Sequence, residues 1–211
     1  MNYEQVMGVV REARAKGEIP CLCEASLCGA QLALVNLTGA DLYSADLPEA
    51  NLCGANLHNA NLHNANLYKA NLSRANLSRA NLYNANLCDA DLSGANLSMA
   101  NLYKATLYYA NLPGSNLEGA YLSRAYLSRD NLSQANLEGA QGIWYRHGAG
   151  SRRDTLRAVI RNGEIEVTTG CFCGSLEEFR NAVVKHYTPG DSYYAEYLAD
   201  ADQIEAWAKT Q

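Results

Sequence analysis

Asn51-Leu52-Cys53-Gly54-Ala55-Asn56-Leu57-His58-Asn59-Ala60-Asn61-Leu62-His63-Asn64-Ala65 is one five-residue unit written three times. Extended in both directions, the unit holds leucine at every fifth position from Leu22 to Leu137, a frame of 24 pentads between Cys21 and Ala140. A short, fixed repeat of this kind sets the architecture first. An α-helix cannot use it: a step of five residues leaves a net offset of about 140°, so the leucines would wind around every side with no stripe to bury. Heptads fail too, because no alternation of three and four occurs. In extended chain, Ala40 and Leu42 are two apart and point the same way, while Ala45 is three further on. The chain must therefore turn a corner in every pentad, with alanine and leucine inward and a two-residue bend outward. Repeated corners close into coils that stack at the strand spacing of about 4.8 Å, which makes a β-solenoid.

The run from Asn51 through Ala105 resembles the pentapeptide-repeat family. That resemblance implies an all-β, right-handed quadrilateral β-helix with four pentads per coil, hence six coils over residues 21–140 and a rod about 29 Å long. It implies little about activity, because one scaffold hosts many roles. Alanine suits the crowded axis and leucine fills the centre, each buried leucine being worth roughly 1.5–3 kcal/mol. Asn36, Asn56, Asn76, Asn96, Asn116 and Asn136 recur at twenty-residue spacing, so on a four-sided coil they form one column suited to an amide ladder.

The flanks have a different grammar. Residues 1–20 read as a capping helix and linker: Tyr3, Val6, Val9, Val10 and Ala13 make a helical stripe that Gly17 and Pro20 end. Such a cap covers the open strand edge of a solenoid. In the last coil, Tyr121 and Tyr126 replace asparagine and Asp130 replaces an inward alanine, with Arg124 and Arg129 nearby. These departures suggest a lower cap joined to the tail, with Asp130 paired to an arginine or a tail amide because an inward carboxylate is otherwise costly. Residues 141–211 read as a small α+β module of ββαα order. Thr155–Ile160 and Glu164–Thr168 flank the hairpin signal Asn162-Gly163. Ser175 and Glu178 form a capping box ahead of a helix carrying Leu176, Phe179 and Val183, and Pro189-Gly190 breaks it. A last helix over about Ser192–Lys209 aligns Tyr194, Tyr197, Leu198, Ala201 and Ile204. The stretch from Gly170 to Phe179 is similar to a small C-terminal module associated with repeat proteins of phages and prophages, which implies no activity.

Charge is spread thinly. The net charge is −5, with three acids and three bases in residues 1–20, nine and six in the repeats, and ten and eight in the tail. The chain is neither polyanion nor polycation, which argues against direct nucleic-acid binding. No apolar run approaches 18 residues and no leader pattern opens the chain, so the expected location is cytoplasmic, without membrane contact. In that reducing setting the seven cysteines read as free thiols, and Cys21, Cys23 and Cys28 lack the usual zinc spacing, so neither metal nor cofactor is expected.

Two polar constellations remain as candidate sites. Read at twenty-residue spacing, Tyr43, His63, Tyr83 and Tyr103 form one outward column, and Tyr68, Cys88 and Tyr108 another. Stacked rings can simply cover the rod, or they can receive a partner, since tyrosine is enriched at interfaces. The second is Arg146, His147, Arg152, Arg153, Arg157 and Arg161, five arginines against the single Asp154. Guanidinium forks beside glycine-flanked amides suit phosphate, though a solvated hairpin with exposed arginines explains them equally. His58 and His63 fall on adjacent sides, and no nucleophile–base–acid set is spaced for catalysis, so an enzyme is not expected.

These readings favour a non-catalytic interaction protein, phage- or prophage-associated: a rigid rod presenting a recognition face, with the C-terminal module as a site for homodimer or higher homo-oligomer formation. A second reading is sequestration of a phosphorylated small molecule or nucleotide by the arginine-rich module. A third follows from the family resemblance, in which some members mimic duplex DNA and inhibit or protect DNA gyrase or topoisomerase IV. Lys69, Arg74, Arg79 and Lys104 in mid-rod make this chain a poor copy of a phosphate backbone.

Overall fold

The structure, a computed structural model, describes residues 1–127, 132, 134–149, 154–161, 163–169 and 172–210, without the side chains of 147, 148, 154, 155 and 161. Asp130, Arg129, Asn162 and Cys171 lie outside the described residues. The chain divides into two units, Met1–Gln141 and Gly142–Gln211.

In the first unit the chain returns on itself every twenty residues. Parallel bridges pair Cys21 with Asp41, Asn61 with Asn81, and so on to Tyr121 with Gln141. Four pentads therefore complete one coil, as the resemblance implies. The pentad Asn61–Ala65 shows why the arrangement holds. Asn61 N–H donates to Ala40 O one coil back (3.0 Å), while Leu62 and Asn64 N–H donate to Asn81 O (2.8 Å) and Tyr83 O (2.9 Å) one coil on. Ala65 N–H closes the bend onto Leu62 O at 3.0 Å. The fifth donor, His63 N–H, reaches the Asn61 side chain Oδ1 at 3.3 Å. All five backbone donors are satisfied, as buried or half-buried peptide groups require.

Asparagine thus does two jobs. Its Oδ1 caps the bend of its own pentad, and its Nδ2 donates to the residue one coil back, as in Asn81 to Asn61 (3.1 Å), Asn86 to Asn66 (3.1 Å) and Asn76 to Asn56 (3.2 Å). The amide ladder expected in the Asn36 column has rungs at Asn76–Asn56 and Asn136–Asn116, and the other columns carry rungs as well. The fourth residue of the described pentads has φ between 52° and 66°. With the Leu O to Ala N–H bond, that matches the second central position of a type II turn. At Gly54 and Gly119 an added Cβ would meet the ends of two exposed side chains, Leu34 Cδ2 at 2.7 Å and Met99 Sδ at 2.5 Å, which would have to swing aside. Those two exposed apolar side chains lie over the glycine one coil on.

Inside, the every-fifth-position leucines from Leu22 to Leu137 are at most 5 % exposed and the mid-rod alanines are fully buried. Where Ser115 replaces alanine, its hydroxyl donates to Leu112 O at 2.8 Å, so the buried polar group is satisfied. Before the coils comes α1 (Tyr3–Lys16), opened by an Asn2–Gln5 capping box and closed by left-handed Gly17. Its buried stripe is Val6, Val10 and Ala13. Tyr3, expected on that stripe, is 43 % exposed, and Val9 is only half-buried. Arg14 ties the helix to the first coil by donating to Asn36 O at 3.0 Å.

The second unit is larger in strand content than the ββαα reading. Its order is β1 (Ile143–Ala149), β2 (Asp154–Arg161), β3 (Glu164–Thr169), β4 (Phe172–Ser175), α2 (Leu176–His186) and α3 (Ser192–Ala208). The four strands form one antiparallel sheet in sequence order. The anticipated hairpin is β2–β3: Arg161 pairs with Glu164 across a two-residue connection in which Gly163 has φ +84°. The two strands missing from the sequence reading flank it. Ile143-Trp144-Tyr145 is rich in strand-forming side chains, but the strand continues into Arg146, His147 and Gly148, which carry no such pattern. The Ser175–Glu178 capping box opens α2 as expected. Phe179, Val183, Tyr197, Ala201 and Ile204 from the helices bury against Leu156, Ala158 and Val167 of the sheet. Phe179 meets the Tyr197 ring edge-on at 5.7 Å, and Arg180 of α2 bonds Asp202 (2.8 Å) and Glu205 (2.9 Å) of α3.

Candidate functional site

The twenty-residue return puts the third residue of every fourth pentad in one outward column. Tyr43, His63, Tyr83 and Tyr103 accordingly form a continuous column, with ring centroids 5.3, 4.7 and 5.4 Å apart, the first two pairs tilted by 59° and 41° and the third stacked at 23°. The column then does something that its spacing does not forecast. Tyr121, eighteen residues beyond Tyr103 and in an asparagine position, lays its ring on Tyr103 at 5.8 Å and 9° between planes. Tyr126 meets Tyr108 in the neighbouring column at 6.2 Å, tilted by 41°. Tyr121 and Tyr126 therefore extend the aromatic columns of the rod itself.

The five-ring column is flanked by cations that the sequence reading did not assign to it. Lys104 Nζ lies 5.9 Å from the Tyr83 ring centre and 5.6 Å from that of Tyr103, and Arg124 Cζ lies 5.8 Å from Tyr103. A cation over a tyrosine face at this range is stabilised by the ring quadrupole. The end rings Tyr43 and Tyr121 are each 39 % exposed, while the inner rungs are half-buried by their neighbours. At the other end of the column stand Glu24 and Asp41, so the face is acidic at its start and basic at its finish. The second column is less continuous. Tyr68 carries Lys69 over its ring at 5.1 Å, and the Tyr68 hydroxyl holds that ammonium above its usual range. Cys88 occupies the next rung, its thiol pushed up by burial and so kept neutral. His58 is on another side, bonded through Nδ1 to Ser78 Oγ at 2.8 Å, and is not brought near His63.

Of the arginine segment, the structure describes the side chains of Arg146 and Arg157. Arg146, on β1, gives Nη1 to Glu196 at 2.7 Å and Nη2 to Asp200, both on α3. Its two terminal nitrogens are thus engaged by carboxylates of its own unit. Burial pushes the Asp200 carboxyl up while the Arg146 guanidinium pulls the other way. Arg157 is 6 % exposed within the unit. Arg152 and Arg153, with the side chains of His147 and Arg161, lie outside the described residues.

Among the described residues no helix is long and apolar enough to cross a membrane. Comparison with known proteins bears on the first unit. The family model for pentapeptide repeats matches eight copies, over residues 22–52, 36–74, 70–108 and 100–139, together more than half of the chain. No curated protein sequence matches the chain significantly. Among solved structures, a pentapeptide repeat protein from the cyanobacterium Cyanothece 51142 is 31 % identical, aligned over 64 % of this chain and 92 % of its own, with a TM-score of 0.39. HetL, a pentapeptide repeat protein involved in heterocyst differentiation regulation in Nostoc sp. strain PCC 7120, is 35 % identical over 58 % of this chain and 72 % of its own, with a TM-score of 0.26. Trypsin-treated QnrB1, a plasmid-mediated fluoroquinolone resistance protein, is 20 % identical over 57 % of this chain and 63 % of its own, with a TM-score of 0.25. The assignment rests on the repeats rather than on these superpositions. With leucine and alanine inside, asparagine on most of the bridges and eight matched repeat copies, this chain belongs to the pentapeptide-repeat family.

Proposed function

We propose that this protein is a non-catalytic interaction protein whose recognition face is the column Tyr43, His63, Tyr83, Tyr103 and Tyr121 with Lys104 and Arg124. The observation that carries this reading is the continuity of five rings in successive contact, flanked by two cations. A rigid backbone ladder fixes the rings before any partner arrives, so little side-chain entropy is lost on docking. Tyrosine and arginine are also the side chains that most often dominate interface energies. The partner that fits is a protein surface with carboxylates placed opposite Lys104 and Arg124 and apolar groups opposite the rings. Family membership supports an interaction role. The phosphate-sequestering reading is disfavoured by the engagement of Arg146 with Glu196 and Asp200, and the topoisomerase reading by the mixed charge of the rod.

The test is a pair of substitutions, Tyr83→Ser with Tyr103→Ser. Serine already occupies the same turn position at Ser73 and Ser93 on the rod, so the coil tolerates it. Proteins retained by the immobilised wild-type chain are expected to bind the variant at least about thirtyfold more weakly, from roughly 2 kcal/mol for one hot-spot tyrosine. A control substitution on a different column, Ser98→Ala, is expected to change nothing. Equal retention of the same proteins by the tyrosine variant would overturn the assignment of this face.

A further inference from the structure

The outward positions of the first two coils depart from the repeat together. Cys21 and, one coil on, Asp41 stand where asparagine is the rule, and Cys23 takes the bend position beside them. A parallel bridge pairs Cys21 with Asp41. The Cys23 sulfur lies 2.6 Å from that of Cys21 and 3.9 Å from the Asp41 carbonyl oxygen. The two sulfurs and a carboxylate oxygen of Asp41 all fall within 4.8 Å of one another. Cys21 is exposed and the other two are half-buried, so the group opens to solvent.

The hydrogen bonds of the repeat itself do not call for an acid at position 41, where the carboxylate also bonds the Cys23 thiol. The Asp41 carboxylate accepts from Tyr43 N–H (3.1 Å) and Asn61 Nδ2 (2.8 Å), both through Oδ1. Asparagine accepts the same pair of bonds elsewhere, as Asn61 Oδ1 does from His63 N–H and Asn81 Nδ2. What the three substitutions add to the consensus is two soft sulfur donors and one anionic oxygen on a fixed backbone. The carboxylate is oriented through one oxygen, which is how ligating carboxylates are held. Zn²⁺ bonds sulfur at about 2.3 Å and carboxylate oxygen at about 2.0–2.2 Å, so a tetrahedral site needs the sulfurs to part to about 3.8 Å, a side-chain rotation at an exposed position. Thiolate donors select zinc or similar thiophilic ions over magnesium and calcium. We propose that Cys21, Cys23 and Asp41 form a three-ligand site for a thiophilic divalent cation, Zn²⁺ fitting best, with the fourth position facing solvent. Sequence spacing hides this site because the third ligand comes from the next coil.

The experiment uses the full chain, reduced with a non-thiol reductant, and titrates Zn²⁺ against a chromogenic chelator; Co²⁺ serves as a second probe through its thiolate charge-transfer absorption. One equivalent is expected to bind wild-type protein, and Cys21→Ser with Cys23→Ser is expected to lose both the equivalent and the absorption. Asp41→Asn should weaken binding by on the order of tenfold or more, and Cys28→Ser should leave it intact. These variants keep the coil, since serine stands at the corresponding positions in Ser26 and Ser73 and asparagine is the consensus at 41; unchanged circular dichroism checks this. No equivalent on wild type, retention by the double serine variant, loss on Cys28→Ser, or unaltered affinity in Asp41→Asn would each overturn the three-ligand site.

Discussion

Lysine in place of Leu82 is expected to unfold the coil unit. Leu82 is fully buried, as are Leu62 and Leu102 above and below it in its column. Truncating such a leucine costs about 2–5 kcal/mol through lost burial and the cavity left behind. An ammonium in its place adds several kcal/mol more, because the inward positions around it are leucine and alanine and offer no counter-ion. The sum is comparable to the whole stability of an ordinary domain, about 5–15 kcal/mol. In a solenoid each coil also leans on its neighbours, so damage in the middle removes support on both sides. Amide exchange should show protection lost from the backbone ladder around residues 62–102. A natively protected Leu82→Lys variant would mean that leucine does not face the axis.

Arginine 146 is expected to matter for stability of the second unit more than for ligand binding. Arg146→Ala strips the cation from Asp200, whose side chain is only 4 % exposed. Removing one partner of a buried pair costs about 3–5 kcal/mol, because the remaining charge is left uncompensated. Both tryptophans of the chain, Trp144 and Trp207, are in this unit. Their fluorescence during denaturation therefore reports it alone, and its midpoint should fall while the coil unit keeps its own. The double replacement Arg146→Met with Asp200→Leu should recover much of the loss, since an apolar pair of similar volume is often neutral or better. A midpoint unmoved by Arg146→Ala would show that the ion pair is dispensable.

Much of the first unit is legible in the sequence because its determinants are local and repeated. Leucine and alanine spacing fixes which side chains go inward, and the same count gives the aromatic column from Tyr43 to Tyr103. What escapes is anything that breaks the period. Tyr121 joins the column from eighteen residues on, not twenty, by using a bridge position instead of a bend position. Lys104 and Arg124 are one residue removed from the third position of the pentad, and only the left-handed bend turns them over the rings. Cys21 and Cys23 look like stray thiols until the coil brings Asp41 beside them. In the second unit there is no repeat to count. The pairing of Arg146 with Glu196 and Asp200 spans fifty residues or more, and β1 and β4 are recognised as strands only through their partners β2 and β3.

The recognition face and the metal site both rest on the twenty-residue return, which a single cross-link tests. Ser73 Oγ lies 3.4 Å from Cys53 Sγ, one coil away. Adjacent coils are about 4.8 Å apart, within the Cα separations that a disulfide spans. After mild oxidation of a Ser73→Cys variant, peptide mass spectrometry should find Cys53 joined to the new cysteine, and a Ser78→Cys variant should give no link to Cys53. A link from Cys53 to position 78, or none to position 73, would contradict the four-pentad coil.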